Sequence, residues 1–373
     1  MPCRSIGWAR SAKSWRRASE AAAIGAAVLA WRMHAAAQGA PIRIEPGLTA
    51  VSAIYDKVLA KDYEAVSTVQ QVDATGTAAT TDWAIPDRQA PDGVRRMTAR
   101  SVERAQDLEH GRRLILWHLS GDPETIPGST GPSASLDVFN EVQKGEAAVV
   151  VGAVSKSDTQ GLGMLGSFLA GRKYFRGNIR KLGTETIRVL VDGVPTPLRT
   201  VHAGGKVTVA DDEGDVEFWW LDDAAARLAL KFTFQGSASQ VVRIDRPKTD
   251  PFEKALAAPS CRSELPGIYF LTDSAELLPA SQPTIAKLAA ALETHGDWTL
   301  TIEGHTDSTG TDQHNADLSR RRAESLKADL VTRHGIAAVR LKTAGFGRMR
   351  PVDSNDTMDG RAHNRRVEIV RQC

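Results

Sequence analysis

The stretch GHTDSTGTDQHNADLSRRRA, Gly304 to Ala323, organises the second half of the chain. Ahead of it, Trp298 to Glu303 reads as a strand, because Leu300 and Ile302 alternate with polar neighbours and Gly304 then lets the chain turn. Asp307 therefore falls on a loop just past a strand end. Asn315 or Asp317 can cap the helix that follows, in which Leu318, Ala323, Leu326, Leu330 and Val331 recur at helical spacing until Gly335 closes it. Its three arginines are not equivalent. Arg320 has Glu324 four residues on and Arg321 has Asp317 four residues back, surface pairs of about 0.2–0.5 kcal/mol each. Arg322 has Leu318 and Leu326 at four residues and Ser319 and Ser325 at three, so its guanidinium sits on the rim of the apolar stripe and needs an anion from elsewhere. Two readings stay open: Asp307 and Arg322 pair and fasten loop to helix, or they receive a ligand.

Four linked motifs, GHTDSTG, NADLSRRRA, GFGRMRP and GRAHNRRVEI, occur in this order in the last third of the chain. In sequence and spacing they resemble the OmpA-like peptidoglycan-binding domain family. The resemblance implies binding of the meso-diaminopimelate of the peptidoglycan stem peptide, with Asp307 at the position that takes the ammonium and Arg322 at the one that takes the carboxylate. The residue types suit those roles: an ionised Asp only accepts, and a planar guanidinium grips a carboxylate through two parallel bonds. Asp273, Thr309, Asn315 and Arg365 match further positions lining that pocket in the family. Leu271 and His314 depart from the family's common residues, which are an aspartate and an aromatic. The resemblance covers less than a third of the chain.

The expected fold class is α+β, with a C-terminal βαβαββ domain carrying two helices on a mixed sheet over residues 262–373. Gly267 to Leu271 is read as its first strand. Ser281 and Pro283 open a helix whose Ile285, Leu288, Ala289 and Leu292 share one face, and Arg365 to Val370 forms the last strand. Residues 247–261, mixing charge, alanine and proline, read as a linker.

Residues 38–246 read as a mostly β domain of unassigned role. Its strand candidates include Glu64 to Val72, Arg95 to Val102, Arg113 to Leu119, Ala147 to Val154, Thr186 to Val191, Glu217 to Leu221, Leu228 to Gln235 and Gln240 to Ile244; Ala50 to Leu59 is the one helical candidate. Many short strands without long helices between them suggest a meander, a sandwich or a cupped half-barrel.

At the start, Arg4, Arg10, Lys13, Arg16 and Arg17 precede an apolar run from Ala21 to Trp31, and small residues offer a cut after Ala37. That is the pattern of a secretory signal peptide over residues 1–37, too short in its apolar run to span a bilayer. The mature protein is therefore expected in the periplasm, associated with the cell wall, with the outer membrane as a further candidate location. In that oxidising compartment Cys261 and Cys373, at the two ends of the C-terminal domain, are expected to form a disulfide.

With 47 Lys+Arg against 45 Asp+Glu, no global charge points to nucleic acid. Gly161, Gly163 and Gly166 spell GxGxxG without the tight strand–turn–helix that a dinucleotide needs, and Phe218 to Leu221 reads as core before cavity floor. No catalytic motif and no cofactor signature emerges. His305 and His314 lack helical ligand spacing and read as loop hydrogen-bonding groups, with no metal site. The reading is a non-enzymatic wall-binding protein whose partner is peptidoglycan, with a possible outer-membrane or envelope-complex partner for the β domain. The alternatives are a wall-anchored ligand carrier or enzyme with its site in the N-terminal domain, and a structural component of an envelope complex.

Overall fold

The computed structural model describes residues 41–57, 61–86, 94–118, 121–154, 174–209, 212–247 and 255–372. The segment 1–37 read as a signal peptide, the glycine loop 161–166, residues 248–254 of the linker and Cys373 lie outside them. No helix among the described residues is long and apolar enough to cross a membrane.

The N-terminal region is one sheet of twelve strands among the described residues, in chain order β1 Thr49–Asp56, β2 Lys61–Asp73, β3 Gly76–Pro86, β4 Val94–Arg104, β5 Arg113–Trp117, β6 Pro123–Glu124, β7 Glu146–Val154, β8 Phe175–Val191, β9 Val194–Val209, β10 Asp212–Leu221, β11 Ala229–Phe234 and β12 Ser237–Asp245. Their spatial order is β5-β7-β8-β9-β10-β11-β12-β1-β2-β3-β4-β6, and β12 also pairs with β8 in parallel, so β8 to β12 close a five-stranded ring. Two short helices, α1 Ala105–His110 and α2 Leu136–Lys144, accompany it; α2 is capped by Ser135, whose side chain accepts from Val138 N. Phe218 and Trp220 are fully buried in the cluster that takes in Val138, Val142, Phe175 and Phe232, and Trp219 faces a second cluster with Ile187, Leu198 and Leu230. Aromatics of both phases are thus core.

The helix expected over Ala50 to Leu59 is a strand where it is described, paired with β12 on one side and β2 on the other. Both faces of β1 are covered. Val51 and Ala53 pack into one cluster, Ala50 and Ile54 into two others. Burial on both faces removes the polar alternation that marks a half-buried strand and leaves an apolar pattern resembling a helix.

The C-terminal sheet has four strands, β13 Arg262–Glu264, β14 Leu300–Gly304, β15 Leu341–Gly345 and β16 Val367–Arg371, in the order β13-β16-β14-β15. Only β14 and β15 run parallel. Its helices are α3 Gln282–Thr294, α4 Asp312–His334 and the short α5 Met358–Asn364. Ile285, Leu288 and Leu292 of α3 and Ala323, Leu326 and Leu330 of α4 bury against Leu300, Ile302, Leu341 and Ile369. The first strand is Arg262–Glu264, earlier than expected. In the segment read as that strand, Phe270 makes only an isolated bridge with Leu277.

Ile42–Cys373 forms one compact unit. Val51, Val66, Ala84, Leu190 and Val242 from the N-terminal sheet share a buried cluster with Tyr269, Leu271, Leu278 and Ala362. Polar contacts reinforce it: the Tyr269 hydroxyl donates to Asp245, Arg96 pairs with Glu276 at 2.6 Å, and Arg188 pairs with Asp353. Two sheets that are separate in sequence therefore bury one surface in common.

Candidate functional site

The site is built where β14 ends. A Cβ at Gly304 would lie 2.1 Å from the carbonyl oxygen of Ser319, so the absence of a side chain there lets α4 press against the strand end. One turn of helix separates that contact from Arg322. The loop between them is held by its own polar groups: Thr309 N donates to Asp307 Oδ1 at 2.7 Å, Asn315 Nδ2 donates to Thr309 O at 2.9 Å and Asp307 O at 3.4 Å, and Ser308 N donates to Asn355 at 3.1 Å. The cap of α4 is Thr311, whose hydroxyl accepts from His314 N, in place of the expected Asn315 or Asp317. Asn315 is buried inside the first turns and turned back onto the Asp307 loop.

Asp307 is 6% exposed and does not pair with Arg322. Its counter-ion is Arg365, just past α5, which binds Asp307 through Nη1 and Glu64 of β2 through Nη2. Burial works to raise the Asp307 pKa, yet Arg365 and the Thr309 N–H hold it below the usual carboxylate value. For Arg365 burial acts to lower the pKa, and the two carboxylates outweigh it.

Arg322 is 8% exposed. Its Nε donates to Ser274 O at 2.9 Å, its Nη2 to Leu271 O at 3.3 Å, and its guanidinium carbon stands 4.9 Å from the centre of the Phe270 ring. No carboxylate among the described residues lies within ion-pair distance of it. Burial brings its pKa down to about 10, partly offset by Glu64. The rim position inferred from helical spacing is thus a buried cation held by carbonyl dipoles and an aromatic face.

Arg322, Arg365, Glu64, Arg243 and Tyr269 line one small cleft of about 40 Å³ between the two sheets. Asp307 and Thr309 flank it through Arg365 and the loop hydrogen bonds. Asp273 stands apart: it is exposed, has φ +56°, and accepts from His314 Nε2 at 2.6 Å. The sequence reading missed Glu64, Arg243 and Tyr269. One local signal existed for Glu64: it alternates in phase with the buried Val66, which puts a charge on an apolar face.

A second cluster, Glu303, His305 and Glu368, is buried and close enough to hold a metal ion. Its carboxylates are already spoken for. Arg262 bridges Glu303 and Glu368, Arg366 binds Glu368 at 2.6 Å, and Arg350 reaches Glu303 at 3.4 Å. Three guanidiniums on two carboxylates leave no negative surplus to attract a cation. His305 stacks on Phe346 with ring centres 5.4 Å apart, and burial with Arg366 lowers its pKa to about 4, so it stays neutral.

Residues 269–365 match the family model described as OmpA family, and the C-terminal third of the chain is an OmpA-like domain. The outer membrane porin F of Pseudomonas aeruginosa is 41% identical over 101 residues, 27% of this chain and 29% of that protein. The peptidoglycan-binding protein ArfA of Mycobacterium tuberculosis is 42% identical over 103 residues, 28% of this chain and 31% of that protein. Among solved structures, the peptidoglycan-associated lipoprotein from Burkholderia pseudomallei is 28% identical, with 28% of this chain and 88% of that chain covered and a TM-score of 0.27. The chain spans about three tenths of the length of the two curated relatives.

Proposed function

We propose that the C-terminal domain binds peptidoglycan non-covalently through the diaminopimelate of the stem peptide and anchors the N-terminal sheet to the cell wall in the periplasm. The observation that carries this reading is Arg322: a buried guanidinium with no carboxylate partner among the described residues, in the same cleft as Arg365. A buried cation without a counter-ion is costly unless an anion arrives. Asp307, one arginine away, supplies an acceptor for the ammonium of the same amino-acid head, with Asn315 and Thr309 fixing its loop. The match of residues 269–365 to the OmpA family model and the 42% identity over 103 residues to a protein named for peptidoglycan binding support peptidoglycan as the partner.

In this reading the protein binds and does not catalyse, and the β sheet is the part presented to other envelope components. Co-sedimentation of the full chain with purified sacculi tests it. Asp307→Ala and Arg322→Ala should each lose a charge-assisted contact of about 1.5–3 kcal/mol, roughly ten- to a hundredfold in affinity, without unfolding. Pelleting of both variants like wild type would show that the cleft is not the wall-binding site.

A further inference from the structure

Glu64 lies opposite Ala53 in the β1–β2 ladder, and Val51 lies opposite Val66. Residues directly opposite share a face, so Glu64 points with Val51 and Val66 toward the C-terminal domain. A carboxylate on such a face needs a partner. The partner it has is Arg365, the residue that also holds Asp307. The main chain of the same residue is engaged too: Glu64 N donates to Thr272 Oγ1 at 2.9 Å. Thr272 sits in the loop whose Leu271 and Ser274 carbonyls hold Arg322. One residue of the N-terminal sheet therefore touches both arginines' surroundings.

Three guanidiniums line the cleft, Arg322, Arg365 and Arg243, with Glu64 as the lining carboxylate and Asp307 beside it on Arg365. Arg322 has no carboxylate partner among the described residues and is placed to take the carboxylate of a zwitterionic head, and Arg365, lining the same cleft, is a second guanidinium for it. Glu64 holds that place on Arg365. We propose that Glu64 is an internal stand-in for the ligand's carboxylate, contributed by the N-terminal sheet, and that binding exchanges one carboxylate for the other. Arg243, lining the same cleft, gives the displaced Glu64 a second guanidinium to face. The exchange makes the affinity of the whole chain lower than that of the bare pocket, because the competent state is only a fraction of the population. It also selects for ligands that bring a carboxylate. This inference rests on the diaminopimelate reading of the site and adds its regulation by the N-terminal sheet.

The test is calorimetric titration of the full chain with free meso-diaminopimelate at neutral pH, comparing wild type, Glu64→Gln, Glu64→Ala and Asp307→Ala. Both Glu64 variants should bind about tenfold tighter than wild type or better, a gain that misfolding cannot produce, and Asp307→Ala should bind at least tenfold more weakly. Unchanged or weaker binding by Glu64→Gln and Glu64→Ala, with the Asp307 dependence intact, overturns the stand-in role alone. Absence of any Asp307 dependence, or of binding by every variant, overturns the reading of the site and this inference with it.

Discussion

Glu64 and Arg365 stand 301 positions apart in the chain and share an ion pair in the cleft between the two sheets. The pair makes the N-terminal sheet a wall of the proposed ligand site as well as its cargo. It sits beside a buried apolar cluster that also draws on both sheets, so neither half of the site is complete without that packing. Mutations in the shared surface should therefore affect stability and binding together.

Tyr269 is the first such position. Its hydroxyl donates to Asp245, which is buried and whose carboxyl is pushed up to about 6 by burial, with Arg243 and the Tyr269 hydroxyl acting against that rise. Tyr269→Phe keeps the ring and leaves a buried acceptor short of a donor. A loss of about 1–3 kcal/mol is expected, read by urea denaturation of the full chain at pH 7. An unchanged midpoint would mean that the contact contributes nothing to holding the sheets together.

His363 gives the shared surface a pH dependence. Its Nε2 is 3.7 Å from Glu264 and its Nδ1 is 3.1 Å from Asp353, the carboxylates that also serve Arg243 and Arg188 of the N-terminal sheet. The nearby Glu264 carboxylate raises its pKa most, against the opposing effect of burial, and Asp353, within hydrogen-bond distance, adds to the rise. A folded pKa above the unfolded value of about 6.5 means stabilisation that is complete below that value and lost as pH rises through the folded pKa. His118 and His305 are shifted the other way, so the wild-type trend alone does not isolate the effect. The readout is the melting-temperature gap between wild type and His363→Gln. It should be larger at pH 6 than at pH 8.5; an equal gap at both contradicts the assignment.

The parts of the site that were legible in the sequence are the local ones. Arg322 was singled out by counting three and four residues along one helix, and Asp307 by its place one turn past a strand, and both calculations involve neighbours in the chain. The partner of Asp307 was not legible, because Arg365 reaches it from the far end of the domain and Glu64 completes the group from another sheet. The same distance explains β1, whose second covered face comes from the C-terminal domain. Strand β3, with its GTAATT start, carries too little apolar alternation to be read, and its place is fixed by the β2 and β4 ladders. Thr311 won the cap over Asn315 because the Asn315 side chain is committed to the loop carbonyls.

Gly304 tests whether the approach of α4 to β14 sets the site. A methyl group at this position meets the Ser319 carbonyl oxygen at 2.1 Å, a main-chain atom that cannot swing aside. Gly304→Ala should destabilise the chain by about 1–3 kcal/mol through overpacking and weaken sacculus binding by displacing Arg322. Thermal melts and co-sedimentation would check the two effects together, and wild-type behaviour in both would remove the close approach from the account.

The end of β16 bears on the expected disulfide. Arg371 N donates to Cys261 O at 2.7 Å, which brings the chain two residues short of Cys373 against Cys261. We propose that the two cysteines are joined, with their main effect on stability. Thiol titration of unreduced, denatured mature protein should find no free thiol, and Cys261→Ser with Cys373→Ser should lower the melting temperature while leaving sacculus binding in place at low temperature. Two free thiols per chain would rule the bridge out.

The central claim is that Asp307 and Arg322 read the amino-acid head of diaminopimelate, and the most direct measurement is a paired titration of the full chain with two soluble stem peptides, one carrying meso-diaminopimelate and one carrying lysine. Lysine keeps the side-chain ammonium and lacks the carboxylate that Arg322 is placed to grip. The account predicts saturable binding of the diaminopimelate peptide and at least tenfold weaker binding of the lysine peptide, with the difference abolished in Arg322→Ala. Equal affinity of wild type for the two peptides would contradict it.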